Sequence, residues 1–334
     1  EERMMKHLRR YSPQTQLLFG GLLTIASVLF LVPFQSEGQG RTHQKEKPPS
    51  VRSEMIVSTA WLAAHVNAPQ VVILHVARER SHYDGGHIPG ARFVSWGEIT
   101  ATRDGVPNEL APVAELQKLF ERLGVGNNAR IVLYGDNSGL SAARAYFTLD
   151  YLGHGGRAAL LDGGLEKWQA ERRAISTDVV EPKTAGFAPR VRLSAVTNLD
   201  VVRDLSWIAT NLDSSGVVLI DARPVDEYTG AKPGDGVPRG GHIPGAANVF
   251  WMQNIVGKES PVLRSPRELY RLYEKAGAQH GRTVVAYCRT GGQASHSYFT
   301  LKYLGYDVVM YDGSFFEWSN TEAAPVVTGS GFQN

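Results

Sequence analysis

Val71 to Arg78 reads VVILHVAR and is followed, across a short polar stretch, by GHIPG at Gly86 to Gly90; Val217 to Arg223 reads VVLIDAR and is followed by GHIPG again, at Gly241 to Gly245. Two further landmarks recur behind this one. Ile131 to Tyr134 (IVLY) leads through a glycine-containing loop to YFTL at Tyr146 to Leu149, as Val284 to Tyr287 (VVAY) leads to YFTL at Tyr298 to Leu301. LDGGLEKW at Leu161 to Trp168 then returns as YDGSFFEW at Tyr311 to Trp318. Landmarks kept in one order in both halves mark a duplicated domain, because chance similarity does not preserve order.

The runs rich in Val and Ile are short, apolar throughout and bounded by turn residues, which reads as strands buried on both faces. Helical patterns separate them. Ser265-Pro266-Arg267-Glu268 has the spacing of a capping box with proline at the first helical position, and Leu269, Leu272, Tyr273 and Ala276 then fall on one face. Leu116, Leu119, Phe120 and Leu123 repeat those intervals in the first half. Strands alternating with helices predict an α/β fold, each half a mainly parallel sheet with helices on both faces. The expected bounds are one domain over 53–175, a polar linker over 176–195 containing Pro182 and Pro189, and a second domain over 196–330.

At 334 residues the chain accommodates two domains with cores of their own, at roughly 150 residues each. Its 35 basic and 33 acidic residues leave a net charge of +2, so no electrostatic footprint for nucleic acid is present. A single cysteine excludes an intramolecular disulfide and a multi-cysteine zinc site, and no metal is expected. Residues 1–50 stand apart. Lys6, Arg9 and Arg10 precede an apolar run from Leu17 to Phe34, and a polar stretch from Gln35 to Ser53 follows. The run lies between a signal-peptide core and a transmembrane helix in length. It reads as an export signal or membrane anchor. The positive flank then stays in the cytoplasm and both domains lie outside it, periplasmic or held at the membrane facing outward.

Cys288 directly follows the run ending at Tyr287 and opens Arg289-Thr290-Gly291-Gly292-Gln293, before a helix expected to start near Ala294. In open α/β sheets ligands sit at the carboxyl ends of the strands, where the next helix presents unpaired N–H groups and a partial positive charge. A thiol of pKa ~8.5 is lowered in such a place, with Arg289 as the neighbouring cation. Gly291 and Gly292 let the loop curl so that successive N–H groups face the sulfur or a transferred anion. The first half has Tyr134-Gly135-Asp136-Asn137-Ser138-Gly139 at this place and no cysteine.

From Val51 to Trp318 the chain resembles the tandem rhodanese family. The resemblance implies that Cys288 carries sulfur as a persulfide, that the loop amides of Arg289, Thr290, Gly291, Gly292, Gln293 and Ala294 surround and bind the transferred group, and that the first domain is catalytically silent. It implies transfer in two steps, without metal or cofactor: the thiolate takes the outer sulfur of a small donor, and a thiophilic acceptor then removes it. Asp221, Arg223 and His242 are assigned to structural support, as is His87. Trp168 and Trp318 are expected in the core or in domain packing.

Arg289-Thr290-Gly291 is closer to the basic thiosulfate-type loop of that family than to its neutral mercaptopyruvate type, although Thr290 stands where a second basic residue is usual. In the stretch after Arg223 both types place an arginine just before an aromatic residue, whereas here Glu227 precedes Tyr228. Lys232 and Arg239 are the nearby cations that could act from another direction. Thiosulfate is therefore the expected donor, with 3-mercaptopyruvate, or a persulfide-carrying role without turnover, as alternatives. A phosphatase with a similar cysteine loop needs an arginine at the sixth position after the cysteine, and Ala294 stands there.

Overall fold

The apolar runs become the strands of two parallel sheets. The structure, a computed structural model, describes residues 51–180 and 192–330. The run from Leu17 to Phe34 and both linker prolines, Pro182 and Pro189, lie outside the described residues. In the first half the chain forms β1 (Ile56–Val57), β2 (Val71–Ala77) and β3 (Arg92–Ser95), then an antiparallel hairpin of β4 (Thr100–Arg103) and β5 (Val106–Leu110), then β6 (Arg130–Gly135) and β7 (Ala158–Leu161). The sheet order is β1-β7-β6-β2-β3, every pair parallel.

The second half repeats this with β8 (Val202–Arg203), β9 (Val217–Asp221), β10 (Ala247–Asn248), β11 (Thr283–Tyr287) and β12 (Asp307–Tyr311). Its order is β10-β9-β11-β12-β8, again all parallel. Read from β8, the two sheets match strand for strand. β11 lies between β9 and β12, so Val284, Val285, Ala286 and Tyr287 lose all contact with solvent.

The flanking helices follow from their patterns. Residues Pro266–Lys275 form a helix whose Ser265 and Glu268 close the capping box, Glu268 Oε2 accepting from Ser265 N at 3.0 Å. This helix buries Leu269 and Tyr273, and its counterpart Val113–Arg122 buries Leu116, Leu119 and Phe120. Each such side chain contributes ~1.5–3 kcal/mol on leaving water. The two YFTL segments lie on helices Leu140–Tyr151 and Gly292–Tyr303, which pack on each other as well as on their own sheets.

Tyr146 meets Phe299 edge to face at 4.8 Å, and Phe147 meets Tyr298 likewise at 5.1 Å, so equivalent positions exchange partners about a pseudo-two-fold axis. The equivalent residues Asp150 and Lys302 carry opposite charge and pair across the seam. One apolar cluster consequently runs through both halves, from Met55 to Met310.

Candidate active site

Cys288 is the first residue past β11, and Gly291, at φ 80°, turns the chain into helix Gly292–Tyr303. The helix starts earlier than the expected position near Ala294 because Gly291 completes the turn, and its first intrahelical bond runs from Ser295 N to Gly291 O at 3.1 Å. The N–H groups of Gln293 and Ala294 precede that bond and have no turn of helix before them to accept from. They point at the Cys288 sulfur, joined by the N–H of Thr290.

The thiol itself is 1% exposed. Burial pushes it up from its ordinary value; the amides of Ala294, Thr290 and Gln293 oppose that rise, and the Asp221 carboxylate adds to it. This corrects the expected lowering. Burial in the merged core is invisible in the sequence, and Arg289 is not among the groups that lower the thiol. Its guanidinium lies against Gly234, on the side that also receives Glu227 Oε2, where any Cβ would overlap it. Burial raises the Glu227 carboxyl, with Arg289 the first cation opposing that shift.

Several side chains hold the loop. Ser314, fully buried and at φ 56°, accepts from the N–H groups of Cys288 at 3.3 Å and Gly291 at 3.1 Å, and donates to Tyr311 O at 2.8 Å. Gly291 has no space for a side chain, since a Cβ would come within 2.7 Å of Asp312 Oδ1 and 3.0 Å of Arg144 Nη1. Asp312 and Arg144 form an ion pair at 2.6 Å between the domains, with the Arg144 side chain fully buried. A Cβ on Gly292 would lie 3.2 Å from the Trp96 ring, a tight approach to the first domain. The Gln293 side-chain oxygen is buried with no hydrogen-bond partner among the described residues.

Asp221 and Arg223 lie beneath the loop as a fully buried pair, Arg223 Nη2 to Asp221 Oδ2 at 2.5 Å, with Arg223 also donating to Gly241 O at 2.7 Å. Burial works against the Arg223 charge, but the Asp221 carboxylate outweighs it and the guanidinium is held above its ordinary value. His242 stacks on Tyr228 at 3.8 Å, its Nδ1 against Tyr228 O at 2.9 Å. His87 stacks on Tyr83 in the same way at 3.7 Å. Trp168 and Trp318 are buried, each indole N–H donating to a carbonyl a few residues on, Ala174 O and Pro325 O.

Of the two nearby cations, Lys232 and Arg239, the arginine is committed elsewhere. It donates to Trp318 O, Ser319 O and Ala324 O, among others, at the end of helix Ser314–Asn320. Lys232 is largely exposed and pairs with Asp226 at 3.0 Å. In the first half Gly135 occupies the position of Cys288, and a Cβ there would overlap Val76 O, so no cysteine fits. Asp136 is taken up within the first domain, accepting from Arg78 N, just past β2, at 3.0 Å and from the Ser141 hydroxyl.

The rhodanese-like domain family matches residues 58–171 and again 204–321. The chain belongs to the rhodanese family. The sulfur carrier protein TtuD of Thermus thermophilus is 36% identical over 83% of this rhodanese and 97% of its own length. The thiosulfate sulfurtransferase of Corynebacterium glutamicum is 33% identical over 84% and 93% of the two chains. Among solved structures, the anaerobic ergothioneine biosynthesis enzyme of Chlorobium limicola, in complex with trimethyl histidine, superposes with a TM-score of 0.72 at 26% identity. That likeness covers 83% of this rhodanese and 70% of the other chain.

The protein is a sulfurtransferase that moves sulfane sulfur through a cysteine persulfide, and Cys288 is its one thiol. Sequence reasoning missed Ser314, Asp312, Arg144, Trp96 and Asn108 around the loop. Ser314 left a signal, since it replaces the second glycine of LDGGLEKW. Asp312 stands in the same repeated landmark, whereas Arg144, Trp96 and Asn108 act across the domain seam and carry none.

Proposed function

We propose that this rhodanese takes sulfur from thiosulfate and passes it to a small thiophilic acceptor. The carrying observation is the convergence of the Thr290, Gln293 and Ala294 N–H groups on the Cys288 sulfur at the start of a helix. The Cys288 thiolate attacks the outer sulfur of thiosulfate, forming a new S–S bond. The original S–S bond breaks, and sulfite departs with the electron pair. A nucleophilic acceptor then bonds to the outer persulfide sulfur and returns the electron pair to Cys288.

No general base is needed once the thiolate exists. Inward N–H groups favour thiolate, persulfide anion and departing sulfite alike. The thiosulfate sulfurtransferase named among the relatives supports the choice of donor, as does Arg289 as the loop's one cation. Two findings support a carrier role fed by a partner protein: the sulfur is almost wholly enclosed, and Arg289 leans to Glu227. The name of the Thermus relative points the same way.

Steady-state transfer to cyanide, with thiosulfate and 3-mercaptopyruvate as rival donors, separates these readings. Faster turnover with thiosulfate is expected. A preference for 3-mercaptopyruvate overturns the donor, and negligible turnover with both establishes the carrier. The basic flank and apolar run of residues 6–34 support placement outside the cytoplasm, cleaved or anchored. Protease digestion of intact spheroplasts should then remove both domains, and their protection would refute the placement.

A further inference from the structure

We infer that Asn108, supplied by the domain without a cysteine, is a positioning residue for the sulfur-binding loop of the other domain. Asn108 lies on β5 of the hairpin and adopts φ 63°, a left-handed conformation that costs about 1 kcal/mol or more outside glycine and persists only where surroundings enforce it. The enforcing contacts are visible. Its carbonyl oxygen accepts from Arg144 Nη2 at 2.8 Å, and its side-chain Oδ1 accepts from Trp96 Nε1 at 2.8 Å.

An indole N–H only donates, so the Asn108 amide is fixed with its oxygen toward Trp96 and its NH2 group outward. That NH2 group donates to Thr290 Oγ1 at 3.2 Å. The same Trp96 ring sits under Gly292, and the same Arg144 pairs with Asp312 beneath Gly291. The hairpin therefore grips the loop at Thr290, Gly291 and Gly292, and the Thr290 amide is one of those aimed at Cys288. Thr290 stands at the loop position where a second basic residue is usual, and a hydroxyl pinned across the seam takes its place.

The inference depends on Cys288 being the reacting sulfur, not on which donor loads it. Alkylation of Cys288 by iodoacetamide across pH reads the thiol without any donor and so separates the two questions. Asn108→Gly removes the side chain and keeps the positive φ. It should raise the alkylation midpoint by about 0.3 to 1 pH unit and lower kcat/KM for the productive donor about 2- to 10-fold, the net worth of one hydrogen bond.

Thr290→Val should do the same, Thr290→Ser should recover the midpoint, and the double variant Asn108→Gly/Thr290→Val should be no worse than either single one. An unchanged midpoint in Asn108→Gly, or single losses that multiply in the double variant, overturns the assignment. Should Asn108→Gly fail to fold, the contrast between Thr290→Val and Thr290→Ser decides with Asn108 intact: equal midpoints overturn it.

Discussion

Replacing Ser314 by alanine isolates the hydroxyl that secures the cysteine loop from behind. The fully buried Ser314 Oγ accepts from two loop amides and donates to one carbonyl. Alanine leaves Cys288 N–H and Gly291 N–H without that acceptor in a site closed to water. A buried donor left unpaired costs ~1–3 kcal/mol. The bonds at 3.3 and 3.1 Å are long, so the lower end applies to each, and a loss of about 2–3 kcal/mol in unfolding free energy follows.

Glycine at the same position removes the same hydroxyl but releases the strain of a side chain at φ 56°, worth ~1 kcal/mol or more. Ser314→Gly should therefore be the milder variant, as the first copy illustrates with Gly164 at φ 57°. Urea unfolding measures both, and alkylation of Cys288 across pH reports the loop. A Ser314→Ala protein within about 0.5 kcal/mol of the parent, or one less destabilised than Ser314→Gly, refutes the reasoning.

Three further outcomes are expected. Gly135→Ala drives a methyl group into Val76 O on the neighbouring strand; it should cost about 3 kcal/mol in urea unfolding, at the high end of overpacking because a backbone carbonyl cannot give way. Glu227→Gln removes the carboxylate beside which Arg289 lies and should lower KM for thiosulfate about 2- to 5-fold at low salt, less at high salt, as steady-state kinetics would record.

Burial, with Asp312 and Glu317 nearby, raises the Glu109 carboxyl from 4.5 to about 7, against the pull of Arg103 and Arg144. The folded state thus holds a proton that the unfolded chain releases. The stabilisation is complete below pH 4.5 and is lost as pH climbs through about 7. Glu109→Gln should flatten that part of the stability profile in urea melts taken across the window.

The duplication, the parallel sheets and the cysteine loop were legible because each rests on local pattern: apolar strand runs, a capping box and repeated landmarks. The hairpin of β4 and β5 was also legible in principle, since Asp104-Gly105, both at positive φ, is the dipeptide that tight hairpin turns demand. Its role was not. Asn108, Trp96 and Arg144 reach the loop only through the packing of one copy on the other, and nothing in their own neighbourhoods announces it.

The upward push on the thiol is hidden from the sequence for the same reason. A helix start and a neighbouring arginine are visible in the sequence, whereas the enclosure of Cys288 and the turn of Arg289 toward Glu227 belong to tertiary structure. Arg239 is likewise a nearby cation in the sequence, and the fold uses it to bind the carbonyls at the end of a helix.

Mass spectrometry of the intact protein, after thiosulfate and removal of excess donor, tests the central claim most directly. The account predicts a gain of one sulfur atom, located on Cys288 by peptide mapping, discharged by cyanide and missing in Cys288→Ser. A protein that turns over thiosulfate with no such adduct, or that keeps the adduct in Cys288→Ser, contradicts it.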